Sequence, residues 1–228
     1  MIDLEYIERR IDDAKTVVID TETTGLDFKK DRTVGFVLTF SGDPRDSHYL
    51  PVRHTGGGNL DPGKVIPMLR RSLRRPTLRS VGFALGFDLR FLHNDDIELT
   101  GPLEDGQINA FLIDERQRSF SLDACCKFMR VQEKQGEELY QHMAARFGGE
   151  PTRRAQMKNY HMLPGDDPIG SDYAVGDGTS TWQLVEAQQP VLDEQDLRRV
   201  WAVECRVIRV LHRMMVRGIK VDEERLDQ

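Results

Sequence analysis

The sequence predicts an α/β fold whose mixed central sheet begins with an antiparallel meander and is flanked by helices. A β-branched run from Thr16 to Ile19 indicates a first buried strand. Strand patterns at residues 32–40 and 47–52 follow it closely and are joined by the turn Gly42-Asp43-Pro44. Later in the chain, a strand pattern at 79–84 lies between helical patterns, as in α/β proteins.

Apolar residues at helical spacing predict the helices. The first is a short amphipathic helix over residues 3–14, where Leu4, Ile7 and Ile11 form one face. Further helices before residue 130 are predicted at 62–75, 86–92, 107–113 and 122–128. Residues 130–165 are rich in Gln, Glu and Arg and are broken by Gly-Gly and Pro-Gly pairs, so we expect a loop with short helices there.

The last part of the chain is predicted to hold two longer helices. Asp167 is the expected N-cap of the first, with Pro168 at its first helical position. We expect this helix to end near Gln188, because Pro190 has no backbone N–H to donate. The second helix is predicted over residues 195–217.

Length and composition indicate a globular protein. The chain has 228 residues, of which 39% are hydrophobic and 31% charged, and it contains neither a long apolar run nor a signal peptide. We therefore expect a soluble cytoplasmic protein that does not contact a membrane, and a monomer. Its three cysteines match neither a disulfide framework nor a paired zinc-ligand spacing.

Charge limits how the protein can contact nucleic acid. The formal net charge of −6 argues against binding by bulk electrostatics, so any such contact must be local. The helix predicted at 62–75 has a basic face made of Arg70, Arg71, Arg74 and Arg75. Such a face is more often simply solvated, and contact with nucleic acid is the alternative.

Four acidic residues and a tyrosine lie at the ends or on the faces of predicted core elements. Asp20 and Glu22 follow the first strand run, and alternate residues of a strand point to the same side. Two like charges about 4 Å apart cost about 4 kcal/mol at an effective dielectric constant of about 20, so this pair requires a shared proton or a cation such as magnesium. Asp88 lies at a turn into a helix, and Tyr173 lies one helical turn before Asp177.

These residues resemble the motifs of the DEDD exonuclease superfamily, in the subclass that carries a tyrosine in its third motif. The motifs are Asp20-Thr-Glu22, a segment ending in Gly86-Phe87-Asp88, and Tyr173-x-x-x-Asp177. Their order and separations are similar to those in the proofreading exonuclease domain of the bacterial and phage DNA polymerase I family, family A. Residues 48–54 and 96–101 are also similar to stretches of that family, so the resemblance covers nearly the whole chain.

The resemblance implies a ribonuclease H-like fold and a metal-dependent 3′-5′ exonuclease with two divalent ions, Mg²⁺ or Mn²⁺. Asp20, Glu22 and Asp177 would hold one ion, and Asp20 with Asp88 would hold the second. Tyr173 would orient the attacking water, and Glu22 would help to accept its proton. We favour positioning for Tyr173, because a phenol is a poor base at neutral pH.

The resemblance also implies a substrate and a domain arrangement. Thr23 and Leu26 match positions that contact the terminal nucleotide of a single-stranded DNA 3′ end, from which a nucleoside 5′-monophosphate is released. Residues 1–192 would form the exonuclease domain. Residues 193–228 would form a connecting helix and the start of a polymerase-type domain, with the junction at residues 217–222.

The chain departs from the family pattern beside two of the motifs. The family usually has an amide residue where this chain has Ala84 and a lysine where it has Gly86. Neither position is a metal ligand, so these departures affect the positioning of the substrate strand. Gly176 and Gly178 flank the third acid and each cost about 1 kcal/mol in a helix relative to alanine, so tertiary packing must hold that helix.

The sequence allows three alternatives to this interpretation. The histidine subclass of the superfamily uses His-x4-Asp, and residues 161–166 fit that spacing, but Pro164 and Gly165 inside it prevent the required helix. A free-standing exoribonuclease of the ribonuclease D type is the alternative within the enzyme class. A catalytically silent domain that guides DNA or acts as a scaffold is the alternative outside it, although such domains normally lose the acids that this chain keeps.

Overall fold

The computed structural model describes residues 2–131, 136–222 and 225, and within these ranges five strands form one mixed sheet. The strands are β1 (Thr16–Thr23), β2 (Thr33–Thr39), β3 (Ser47–Pro51), β4 (Arg79–Gly82) and β5 (Leu103–Asp105). Their order across the sheet is β3-β2-β1-β4-β5. The first three strands pair antiparallel, whereas β4 is parallel to β1 and β5 is parallel to β4. The predicted mixed α/β sheet with an initial meander is confirmed.

Helices surround the sheet. In chain order they are α1 (Leu4–Asp13), α2 (Pro62–Ser72), α3 (Gly86–Asn94), α4 (Gly106–Ile113), α5 (Leu122–Met129), α6 (Glu137–Phe147), α7 (Arg153–Gln156), α8 (Pro168–Glu194) and α9 (Arg198–Arg217). Short 3₁₀ helices span Pro44–Asp46 and Met157–Met162. Among the helices described here, none is both long and apolar enough to cross a bilayer.

The two faces of β1 pack against different layers. Val17 and Ile19 point into the larger core cluster, which also contains buried residues of α1, α2, α3 and α9. Val18, on the opposite face, packs with Val185 of α8. Because side chains alternate along a strand, Asp20 and Glu22 point to the α8 side, whereas Thr21 points toward α3.

Two predicted boundaries near the site are wrong. The first strand continues to Thr23, so Asp20 and Glu22 lie within β1 rather than beyond its end. Helix α8 continues through Pro190 to Glu194. Proline removes the hydrogen bond to the carbonyl four residues earlier, but that residue, Glu186, is exposed, while Leu192 in the next turn is fully buried and anchors the helix.

Other elements differ from the sequence prediction in extent. Strand β5 was not predicted, because its three residues carry two acids. Part of the segment expected to be a loop with short helices forms α6, which has 11 residues, followed by the four-residue α7 and a 3₁₀ helix. Residues 132–135 of that segment lie outside the described residues. Helix α9 begins at Arg198, after Asp196 adopts a positive φ of 53°.

Candidate active site

Strand β1 and helix α8 bring three of the predicted acids together. Oxygen atoms of Asp20, Glu22 and Asp177 lie within 4.8 Å of one another. Glu22 is buried, and the other two carboxylates are half-buried. Three hard oxygen donors at this spacing fit a divalent cation, whose charge offsets their mutual repulsion.

A glycine lets α8 approach the sheet closely enough to complete this cluster. A Cβ at Gly178 would overlap Thr39 Oγ1 and would lie 2.9 Å from Val37 Cγ1, both on β2. A Cβ at Gly176 would meet nothing within 4 Å. Gly178 is therefore required by the packing of α8 on β2, whereas nothing in the structure explains Gly176.

Asp88 lies on the other side of β1 and is not one of the three acids whose oxygen atoms lie within 4.8 Å of one another. Its carboxylate is 1% exposed and accepts hydrogen bonds from the Thr21 backbone N–H (3.0 Å) and hydroxyl (2.6 Å). Burial raises the pKa of Asp88 well above its usual value, and the nearby charge of Asp20 raises it further. Asp88 is thus held beside the cluster by Thr21, the residue between the two acids of β1.

The turn that presents Asp88 depends on a carboxylate that the sequence analysis missed. Asp105, at the end of β5, is 4% exposed and accepts backbone N–H bonds from Ala84 (3.0 Å), Leu85 (2.8 Å) and Gln107 (2.8 Å). Ala84 has a positive φ of 55°, so this turn is strained. Asp105 therefore fixes the entry into α3.

Tyr173 is packed among other tyrosines. It is 5% exposed, and its ring centroid lies 6.1 Å from that of Tyr160 and 6.3 Å from that of Tyr140. Burial raises the pKa of Tyr173 above its usual value, and the charges of Asp177 and Glu22 add to this. The hydroxyl consequently stays protonated at neutral pH and acts as a hydrogen-bond donor or positioning group.

The two residues predicted to contact the terminal nucleotide follow the acids on the chain. The Thr23 hydroxyl donates to the Gly25 carbonyl (2.7 Å) and so shapes the turn after β1. The Leu26 side chain is 83% exposed, which leaves it available to an unstacked base. Their substrate contacts remain predictions.

A further basic residue lies beside the cluster. Arg153, at the start of α7, is partly exposed to solvent. Burial of its guanidinium would lower the pKa of Arg153, but interactions with Tyr173 and Asp177 raise it. The sequence offered no signal for this residue, because its segment carries no readable motif.

The comparisons with known proteins identify the family. A family model described as a 3′-5′ exonuclease matches residues 2–193. The chain belongs to this 3′-5′ exonuclease family. The DNA polymerase DpoZ of Salmonella phage PMBT28 is 33% identical over 94% of this chain and 33% of its own length. DNA polymerase I of Pseudomonas aeruginosa is 24% identical over 94% of this chain and 23% of its own length. The exonuclease chain thus spans a third or less of these relatives, and the predicted resemblance to the DNA polymerase I family is confirmed.

Solved structures confirm the ribonuclease H-like fold of the exonuclease. A structure titled "apo form of the nuclease" has a TM-score of 0.69 at 16% identity and covers 97% of this chain and 93% of that one. Ribonuclease D of Escherichia coli has a TM-score of 0.60 at 16% identity, over 92% of this chain and 48% of that one.

Proposed function

We propose that this chain is a metal-dependent 3′-5′ exonuclease that removes nucleoside 5′-monophosphates from single-stranded DNA 3′ ends and serves as the proofreading domain of a family A DNA polymerase. The observation that carries the proposal is the convergence of Asp20, Glu22 and Asp177 in a member of the 3′-5′ exonuclease family. The DNA substrate follows from the relatives, which are named DNA polymerases.

The three-acid group fits a divalent ion, and we infer that the site holds two, Mg²⁺ or Mn²⁺. Asp20, Glu22 and Asp177 would hold one, and Asp20 with Asp88 would hold the other. When bound, such ions polarise the scissile phosphate and stabilise the attacking and leaving oxygens. A related fold, NrnC of Brucella melitensis, has been solved with bound Mg²⁺.

Residues of the chain orient the attacking water and accept its proton. The Tyr173 hydroxyl, kept protonated by burial, donates a hydrogen bond that orients the attacking water. A Glu22 carboxylate oxygen accepts the proton as the water oxygen bonds to phosphorus. The bond from phosphorus to the 3′ oxygen then breaks, and that oxygen is protonated as the shortened strand leaves. Leu26 and Thr23 hold the terminal nucleotide.

The wider arrangement follows the polymerase relatives. Residues 1–192 form the nuclease unit, and residues 193–228, which include α9, lead into a polymerase domain in the same chain. The protein acts as a monomer in the cytoplasm of a bacterial or phage-infected cell.

A single assay separates this function from its alternatives. We expect 5′-labelled single-stranded DNA to be shortened stepwise with Mg²⁺ or Mn²⁺, and not with a chelator, with RNA of the same sequence shortened much more slowly. Preference for RNA would favour a ribonuclease D-like exoribonuclease, a reading that the shared fold with ribonuclease D supports. No shortening of either strand would favour a silent scaffold.

Arg153 is proposed to contact a phosphate of the bound strand. We expect Arg153→Ala to lower kcat/KM on single-stranded DNA about tenfold or more, because a hydrogen bond to a charged group contributes about 1.5–3 kcal/mol. Arg154→Ala is the matched control, since Arg154 is the next residue of α7 and is also exposed. Equal kcat/KM values for the two variants would show that Arg153 does not contact the bound strand.

A further inference from the structure

A second basic surface lies between α3 and α9, away from the acid cluster. It is a cleft of about 540 Å³ with apolar residues such as Leu89 and Leu103 in its lining. Five basic side chains also line it: His93, Arg209, His212, Arg213 and Arg217. We call this surface the α3–α9 cleft.

The two acids of the cleft form ion pairs with arginines that do not line it. Asp96 pairs with Arg70 of α2 (3.2 Å), and Glu98 pairs with Arg74 (3.5 Å), which follows the end of α2 at Ser72. The sequence predicted four arginines as the basic face of a helix over 62–75, but α2 ends at Ser72, so Arg74 and Arg75 lie beyond it. The two ion pairs engage Arg70 and Arg74. The other two arginines donate to Glu8 and to the Ile11 carbonyl.

Three arginines of α9 line the cleft, and the charge of Glu98 acts on one of them, Arg209. Arg209 donates to the neutral backbone carbonyls of Leu99 (2.5 Å) and Gly101 (2.7 Å). Arg213 and Arg217 are both exposed to solvent. The α3–α9 cleft therefore has more arginines than acids in its lining, and two of the arginines, Arg213 and Arg217, are exposed.

Two histidines, His93 and His212, lie beside these arginines in the cleft. The rings of His93 and His212 lie 5.9 Å apart, and the buried Nδ1 of His212 has no hydrogen-bond partner among the described residues. Burial lowers the pKa of His212, and the positive charges of His93 and Arg209 lower it further. His212 is therefore mostly neutral at pH 7, and an anion bound in the cleft would favour its protonated form.

Helix α3 extends from the cleft to Asp88, the acid proposed to hold the second ion. Asp88 lies in its first turn and His93 in its last, which is a rise of about 7.5 Å along the helix axis. We propose that the α3–α9 cleft binds backbone phosphates of the nucleic-acid strand whose 3′ end occupies the acid cluster. The proposal rests on the proposed nuclease function and extends it to the strand upstream of the terminal nucleotide.

The salt dependence of binding tests this site without requiring catalysis. A fluorescent oligothymidylate is titrated with the 228-residue chain in EDTA at several salt concentrations, and anisotropy gives Kd. The double variant Arg213→Gln, Arg217→Gln removes two proposed phosphate contacts. We expect the slope of log K against log salt to become shallower by about 1.4, because each contact with a single strand contributes about 0.7.

The matched control lies on the same helix. Arg199→Gln with Arg206→Gln makes the same charge change at exposed positions that do not line the cleft, and its slope is expected to stay close to that of the wild type. Equal slopes for the two double variants would overturn the proposal and leave the cleft as a surface for another protein segment. A chain that binds DNA with the expected slopes but hydrolyses nothing would retain the cleft and refute the nuclease function. Thermal melting checks that both variants fold.

Discussion

Replacing Asp20 with asparagine is expected to slow 3′-5′ hydrolysis by at least about a thousandfold, which corresponds to about 4 kcal/mol of activation free energy. Asp20 belongs to the group whose oxygens lie within 4.8 Å, and its charge also acts on Asp88. The substitution therefore removes a ligand from both proposed ions. The rate of shortening of 5′-labelled single-stranded DNA at saturating Mn²⁺ measures the effect.

Thermal unfolding of the same variant separates metal binding from folding. Metal at about 100 times its Kd is expected to stabilise the wild type by about 2.7 kcal/mol, and Asp20→Asn should lose most of this increase. In EDTA the variant should be at least as stable as the wild type, since one of several neighbouring like charges is gone. Asp12→Asn, exposed on α1, is the control and should behave as wild type in both measurements. An Asp20→Asn variant that keeps its rate and its metal response would contradict the proposed ligand set.

The part of the site that the sequence could predict depends on local periodicity. Alternation along β1 puts Asp20 and Glu22 on one face, and the helical spacing of four puts Tyr173 and Asp177 on one face of α8. The antiparallel meander could also be predicted, because short turns join its strands. These local patterns place four of the five proposed catalytic side chains in two pairs.

The remaining features arise from contacts between residues far apart in the chain. Asp88 is held by Thr21, 67 residues away, on the face of β1 opposite to the other acids. Arg153 of α7 interacts electrostatically with Asp177 of α8, which lies 24 residues further along the chain. The need for Gly178 depends on how closely α8 approaches β2. No window of sequence contains both partners of such contacts, so periodicity cannot predict them.

Among residues outside the acid cluster, we expect the largest loss of folding stability when Asp105 is replaced. We expect Asp105→Ala to lower the free energy of unfolding by about 2–4 kcal/mol, because the backbone N–H groups of Ala84, Leu85 and Gln107 lose their acceptor. Burial raises the pKa of Asp105 even though these hydrogen bonds lower it, so burying the carboxylate has a cost of its own. That cost partly offsets the loss, which is why the expected change is smaller than three separate unsatisfied donors would give. Urea unfolding measures it.

Two further substitutions show whether the backbone acceptor itself is responsible. Asp105→Asn retains an oxygen for Ala84 and Gln107, which share Oδ1, and loses only the bond from Leu85 to Oδ2, so we expect a loss of about 1 kcal/mol. Asp61→Ala removes an exposed N-cap that accepts a single bond from Gly63, with an expected loss of about 1 kcal/mol. If Asp105→Ala is no more destabilising than Asp61→Ala, the turn before α3 is held by its apolar contacts, and Asp88 does not depend on Asp105 for its position.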